Sequence, residues 1–285
     1  MLNYLKIYRP INILFIALAQ WLSAYFLNFE ASYVSIYDGG LYWLILGTAA
    51  CAAFGYWIND FLDIDRDEIN KSHFKAIKSL NPNLVYVHLL AFVSIATYCG
   101  NVLGTWFILL FAITIALLFL YSKWLKNIAG LGNLLIAALS FVSVYAVSVL
   151  FPEVDRLLML HFAMLAGFLT LCRELVKDAE DVKGDSETNA KTLPIVLGLV
   201  NTNNLIYILL LFIISFLVIS LYYQSRFLTS AMQFAYYGYY FLFVIVPLYK
   251  VAIDVRSAQS KQEYAFLSKI LKYTLFTGVL SILFF

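Results

Sequence analysis

Nine apolar blocks make up most of the 285-residue chain, and most of them are long enough to cross a lipid bilayer. A transmembrane helix needs about 20 mainly apolar residues. Only 13% of the residues are charged, whereas an ordinary soluble domain carries about 25%. The blocks therefore predict an all-α polytopic membrane protein with nine transmembrane helices. They run roughly over 11–29, 41–58, 84–102, 104–121, 131–151, 157–175, 204–223, 234–253 and 270–285.

The basic residues test this number of helices, because cytoplasmic loops of membrane proteins are enriched in Lys and Arg. With the N-terminus in the cytoplasm, 17 of the 19 basic residues fall on the inner side, and only Arg156 and Arg226 fall outside. A wrong number of helices would scramble this alternation. Lys269 and Lys272 enter the ninth block, and we expect both side chains to extend to the inner surface.

The acidic residues are concentrated, since 11 of the 17 lie in segments 59–68 and 174–187. Each segment contains three aspartates with the same spacing, and counterparts lie 118 residues apart. The same offset carries the second apolar block onto the sixth. We therefore expect a parallel repeat over about 1–125 and 126–254, with a final helix at 268–285, and both acidic segments on the cytoplasmic side. The aspartates are Asp60, Asp63 and Asp67, and Asp178, Asp181 and Asp185.

The spacing of these aspartates predicts a column of carboxylates on one helix face in each segment. Asn59 extends the first column. Six facing carboxylates repel one another unless a cation is present. Oxygen ligands favour magnesium, manganese or calcium, and carboxylate-bound magnesium often completes its shell with phosphate oxygens. A magnesium-bound diphosphate is therefore the predicted occupant. The basic residues that could neutralise it are Lys71, Lys126, Arg173, Lys177 and Lys191.

Other functions fit the same residues less well. A single acidic segment at a helix end is more often a solvated loop, but two segments with matched spacing disfavour that interpretation. A cation transporter should carry its ionisable residues within the spans, and many transporters use inverted rather than parallel repeats. CDP-alcohol phosphotransferases have one continuous Asp-rich motif with Asp-Gly and Ala-Arg upstream, which this chain lacks on the inner side.

The two acidic segments resemble those of a known family. NDFLDIDRD resembles the first Asp-rich motif of the UbiA-type intramembrane prenyltransferases, and RELVKDAEDVKGD resembles their second. The segments YRPINILF, YSKWLKNIAGLGN and KTLPIVLG are also similar to family segments. In residues 69–83 the family's prolines and Arg are missing from their places, and no Gly appears. The resemblance implies a helical bundle around a central cavity that opens to lipid. It implies that Asn59, Asp63, Asp67, Asp181 and Asp185 bind two magnesium ions, with Asp60 and Asp178 close by.

The resemblance also implies an activity, which is magnesium-dependent transfer of a prenyl group from an isoprenyl diphosphate to a lipid-soluble or amphiphilic acceptor. Manganese is the alternative ion. The second motif is closest to the branch that prenylates glycerol-phosphate ether lipids, and an aromatic quinone precursor is the other acceptor class. No nucleic acid or obligate protein partner is indicated. The implied catalytic residues are Lys126, Arg173 and Lys177, and the implied substrate-binding residues are Arg9, Asn12, Lys71, Tyr121, Asn133 and Lys191.

Overall fold

The computed structural model describes residues 7–28, 39–64, 81–188 and 190–285. Within these ranges nine long helices follow one another, and the β-structure consists of two isolated bridges. The helices are α1 (Pro10–Phe26), α2 (Gly40–Leu62), α3 (Pro82–Leu103), α4 (Thr105–Lys123), α5 (Leu131–Leu150), α6 (Arg156–Glu180), α7 (Leu199–Gln224), α8 (Ser230–Val255) and α9 (Lys261–Leu280).

Each predicted apolar block overlaps one of these helices. Among the described residues, eight helices are long and apolar enough to cross a membrane, and α1 is a shorter apolar helix of 17 residues. An all-helical, multi-pass membrane protein is therefore confirmed. A crossing by α1, and the cytoplasmic location of the N-terminus and the acidic segments, stay predictions.

The ninth helix begins earlier than the sequence pattern predicted, at Lys261 rather than at residue 268. Ser260 accepts a hydrogen bond from the backbone N–H of Glu263, and the Glu263 carboxylate accepts one from the backbone N–H of Ser260. This capping box satisfies donors that would otherwise be unpaired at a helix start. The polar first turns of α9 are therefore helical, although they lack the apolar pattern used for the prediction.

Helix α8 contains a π-helical turn at Phe241–Ile245, immediately before Pro247 in its second half. Proline has no N–H, so the carbonyl four residues earlier loses its helical partner. That carbonyl belongs to Phe243, and it accepts a hydrogen bond of 2.7 Å from the Thr277 hydroxyl of α9. In an apolar surrounding such a replacement partner is required, and here it also fastens α8 to α9.

The two helices that carry the acidic segments are the most buried spans. In α2 and α6, 56% and 61% of the apolar stretch is buried, and no other candidate span among the described residues exceeds 44%. Helix α2 packs against α1, α3 and α4, while α6 packs against α5, α7 and α9. Helix α1 also contacts α5 and α9. The bundle therefore surrounds the helices whose ends carry the acids.

Both acidic segments lie where a buried helix ends. Asp63 is the C-cap of α2 with φ −101° and ψ 14°, and Asp181 is the C-cap of α6 with φ −98° and ψ 7°. The chain bends at Asp181 and continues as the short helix Val182–Glu187, which contains Asp185. The predicted carboxylate column on one uninterrupted helix is therefore wrong for the second segment. The repeat stays a prediction, which these matched helix ends favour.

Gly100 allows α3 and α4 to approach closely beside the turn at Gly104, and its replacement should destabilise the fold. A Cβ at Gly100 would lie 2.8 Å from the Ile108 Cα, a backbone atom that has no room to move. We expect Gly100→Ala to cost about 1–3 kcal/mol of stability through overpacking and to lower the apparent melting temperature in detergent. Gly238→Ala is the control, because nothing lies within 4 Å of its added Cβ. Equal melting temperatures for the two variants would contradict this packing.

Candidate functional site

The start of α1 is fastened to the end of α2 by Arg9. Its Nη2 lies 2.7 Å from Oδ1 of Asp60, and its guanidinium lies 4.8 Å from the centre of the Tyr56 ring. The side chain of Asn12 hydrogen-bonds Tyr56. Arg9 has φ 46° and ψ 56°, which is unusual for a residue other than glycine. Such strained backbone persists where the surroundings hold it, and here an ion pair and an aromatic ring do so.

The turn after α4 brings a lysine to the first acidic segment. Nζ of Lys126 lies 2.5 Å from Oδ1 of Asp63, and both side chains are about nine-tenths buried. Lys126 belongs to the short 3-10 turn Leu125–Asn127. This turn packs against Gly132 so closely that a Cβ there would lie 2.8 Å from the Lys126 Cα. The glycine therefore sets the position of Lys126 above the end of α2.

The start of α5 holds the second acidic segment. Nδ2 of Asn133 donates a hydrogen bond of 2.9 Å to Oδ2 of Asp178. Asp178 also lies within electrostatic reach of Asp185, which is only 3% exposed. The backbone N–H of Ala190 donates to the carbonyl of Asp185, and this closes the loop after the short helix. Asp178 and Asp185 therefore stay close although the helix bends between them.

Glu174 lies in the middle of the basic residues of α6, a position that sequence analysis did not assign to the site. Its Oε1 lies 3.2 Å from Nη1 of Arg173, and its Oε2 lies 3.1 Å from Nζ of Lys177. The sequence contains one indication of this role. Glu174 belongs to the acidic segment 174–187, although it lies outside the regular spacing of the aspartates. Tyr56, which was also missed, lies one helical turn before Asp60. Its proximity to Arg9 depends on helix packing rather than on sequence.

Tyr121 connects the two acidic segments. Its hydroxyl lies within electrostatic reach of Asp63 from the first segment and of Glu174 and Asp178 from the second. Arg9 is within the same range. Tyr121 lies at the end of α4, one residue before Ser122, whose hydroxyl bonds the α4 backbone. The packing of α2, α4 and α6 thus brings together residues that are far apart in sequence.

The remaining predicted residues are placed less centrally or are not described. Lys191 donates its backbone N–H to the carbonyl of Asn127, and its side chain is exposed. Asn59 and Asp181 are partly buried at the ends of α2 and α6. Asp67 and Lys71 lie outside the described residues. The assignment of each of these residues to metal or substrate stays a prediction.

The donor atoms fit a hard divalent cation chemically, because they are carboxylate and amide oxygens. In the described part of the chain, no three His, Cys, Asp or Glu side chains converge closely enough to hold a metal ion. Asp60 and Asp63 are instead paired with Arg9 and Lys126. A metal ion bound here would share these carboxylates with the basic side chains.

Comparison with curated proteins gives relatives in archaea. A digeranylgeranylglyceryl phosphate synthase of Saccharolobus solfataricus is 32% identical over 203 residues, which cover 69% of each chain. The enzyme of the same name from Natronomonas pharaonis is 31% identical over 54% of this chain and 56% of its own length. The matched region thus ranges from just over half to about two thirds of these two relatives.

Solved structures share the architecture. A structure described as concerning digeranylgeranylglyceryl phosphate synthase in membranes superposes with a TM-score of 0.67 and 19% identity, and covers 98% of this chain and 97% of its own. A UbiA homologue from Archaeoglobus fulgidus bound to GPP and Mg2+ gives a TM-score of 0.67 with 16% identity, and covers 98% and 99%. The family model of the UbiA prenyltransferases matches residues 13–276. The chain therefore belongs to the UbiA prenyltransferase family.

Proposed function

We propose that this protein transfers a prenyl group from an isoprenyl diphosphate to the hydroxyl of a glycerol-phosphate lipid and releases diphosphate. The observation that carries the proposal is the convergence of both acidic segments around Tyr121, with Lys126 and Lys177 beside them. Carboxylates and basic side chains lie next to one another at one end of an apolar helix bundle. This arrangement suits a substrate with a charged head and a hydrocarbon tail.

The barrier of this reaction is the departure of a highly charged diphosphate from an allylic carbon. Divalent metal ions bound by the aspartates would neutralise the leaving group when present. Lys126 and Lys177 add positive charge at fixed positions, which stabilises the charge that develops in the transition state. Lys126 is suited to this role because Asp63 and the turn at Gly132 hold its ammonium in place. The site residues named here are therefore proposed to bind and polarise the donor.

The acceptor then attacks the allylic carbon. Its hydroxyl oxygen forms the new C–O bond, the electron pair of the broken C–O bond leaves with diphosphate, and the hydroxyl proton is released. Apolar surroundings exclude water, which would otherwise capture the reactive carbon. Arg9, Asn12 and Tyr56 line the same end of the bundle and are proposed to orient the substrates.

The choice of a glycerol-phosphate acceptor rests on the relatives. The curated proteins that match this chain at about 30% identity are digeranylgeranylglyceryl phosphate synthases. The sequence RELVKDAEDVKGD had favoured the same acceptor class. The distribution of basic residues supports a cytoplasmic location of the site, where water-soluble diphosphate can leave.

Replacement of the central aspartates should abolish prenyl transfer. We expect Asp63→Asn and Asp181→Asn each to lower the rate at least about 100-fold. Each replacement removes a carboxylate charge that would hold the metal ions on the diphosphate. The measurement is transfer of a labelled geranylgeranyl group to a glycerol-phosphate ether lipid in nanodiscs. Asp254→Asn is the control, since Asp254 is partly exposed and pairs with Lys250 on α8. Wild-type rates in Asp63→Asn and Asp181→Asn would contradict the assignment.

Removal of divalent ions should stop the reaction reversibly. We expect a chelator to reduce transfer to background and added magnesium to restore it, because oxygen ligands and diphosphate together form a magnesium site. Manganese should replace magnesium, as both prefer oxygen ligands. Unchanged transfer after exhaustive chelation would show that the basic residues alone suffice.

A comparison of acceptors separates the remaining alternatives. We expect faster transfer to a glycerol-phosphate ether lipid than to a hydroxybenzoic acid, and no metal-driven ion flux in liposomes that contain the protein. Faster prenylation of the aromatic acid would change the acceptor, whereas ion flux without prenyl transfer would favour the transporter interpretation. Lipid extracts of a host with and without the protein provide the check in cells.

A further inference from the structure

Lys272 lies within the apolar helix α9, and its side chain turns into the bundle. Its ammonium lies 5.7 Å from the centre of the Phe15 ring of α1, and the residue is partly buried. Lys269, one turn earlier, is exposed and lies over Tyr273 of its own helix. The expectation that both lysines extend to the surface therefore applies to Lys269, whereas Lys272 packs against α1. An ionisable residue inside a membrane helix bundle indicates a functional site.

The packing of α9 against α6 explains which residues Lys272 meets. Gly278 packs against Leu165, and Lys261 is within electrostatic reach of Glu180, so the two helices are antiparallel. Lys272 then lies opposite α6 about one turn before Arg173. Side chains lean towards the N-terminus of their own helix, so in antiparallel helices Lys272 and Arg173 lean towards each other. Both guanidinium groups, of Arg173 and Arg9, interact electrostatically with the Lys272 ammonium.

Among the described residues, Arg173 and Lys272 carry more positive charge than the carboxylates beside them balance. Glu174 pairs with Arg173 and is shared with Lys177. In the described ranges Lys272 forms no ion pair with a carboxylate, and Nε of Arg173 is buried without a hydrogen-bond partner. Like charges at close range are costly where the dielectric is low. The arrangement is therefore suited to an anion that bridges Arg173 and Lys272.

We propose that Arg173 and Lys272, with Arg9 at the edge, bind the phosphate group of the acceptor lipid. The proposal rests on the proposed function and extends it to the recognition of the acceptor. A phosphate monoester carries a charge of about −1.5 to −2 near neutral pH and three acceptor oxygens. The guanidinium and ammonium groups can donate hydrogen bonds to several of these oxygens.

The location places this anion site farther from the C-terminal end of α6 than Asp178. Arg173 precedes Asp178 by five residues, roughly 7–8 Å along the helix axis, and the α6 position opposite Lys272 precedes it by about two turns. A donor diphosphate held between Asp63 and Asp178 and an acceptor phosphate held near Lys272 would thus occupy different depths of the bundle. The allylic carbon and the acceptor hydroxyl would meet between the two anions, which is the arrangement that the transfer requires.

The test compares Lys272→Gln with Lys269→Gln in the full-length protein in nanodiscs. We expect Lys272→Gln to raise KM for the phosphorylated acceptor about tenfold or more, as is typical when a hydrogen bond to a charged group is lost. KM for the isoprenyl diphosphate should change less than about twofold. The preference for the phosphorylated acceptor over its dephosphorylated alcohol should fall by a similar factor. Lys272→Arg should retain the preference, and Lys269→Gln should match the wild type.

A rise in KM for the isoprenyl diphosphate, with unchanged preference between acceptors, would assign Lys272 to the donor and overturn the proposal. Binding of the phosphorylated ether lipid without donor is measured separately, by ligand-induced thermal stabilisation of wild type and Lys272→Gln. Stabilisation of the wild type alone supports the anion site, even if no prenyl transfer occurs. The absence of prenyl transfer would then overturn only the proposed function. Equal stabilisation of both proteins, or of neither, would overturn the anion site. An unfolded Lys272→Gln variant is replaced by Lys272→Met in the same assays.

Discussion

The placement of charge inside an apolar bundle is the constraint on which the rest of this structure depends. Asp63 and Lys126 are about nine-tenths buried and form an ion pair. Loss of one partner from such a pair typically costs about 3–5 kcal/mol, because the other charge stays buried. The pair therefore couples the end of α2 to the turn after α4. The partly exposed ion pair of Arg9 with Asp60 joins α1 to α2, and the hydrogen bond from Asn133 to Asp178 joins α5 to α6.

These couplings explain why α2 and α6 are the most buried helices. Their C-terminal ends carry carboxylates that need partners, and the partners come from helices that surround them. Carboxylates from both helix ends then lie within electrostatic reach of Tyr121. The outer helices α3, α4 and α7 contribute apolar surface with few charges, as expected for helices that face lipid. These carboxylates and their basic partners therefore lie at one end of the bundle.

The sequence predicted the apolar helices and their charged ends well, because the length of an apolar segment and the positions of the charges beside it are local properties. Every apolar block contains a helix, and Asp60, Asp63, Asp178 and Asp181 lie at helix ends. The prediction from sequence was wrong where the local hydrophobic pattern is weak. The start of α9 depends on the Ser260–Glu263 capping box rather than on hydrophobicity. The bend at Asp181, which interrupts the second carboxylate column, has no apolar signature either.

The sequence by itself determined the membrane class, the order of helices, the paired acidic segments and the resemblance to a prenyltransferase family. Only the tertiary structure decided which basic residue meets which carboxylate. It paired Lys126 with Asp63, placed Glu174 between Arg173 and Lys177, and left Lys191 exposed. It also turned Lys272 inward. The physical reason is that the sequence around a lysine does not show whether its side chain faces lipid head groups or a binding site. Its direction follows from helix packing, which joins residues more than a hundred positions apart.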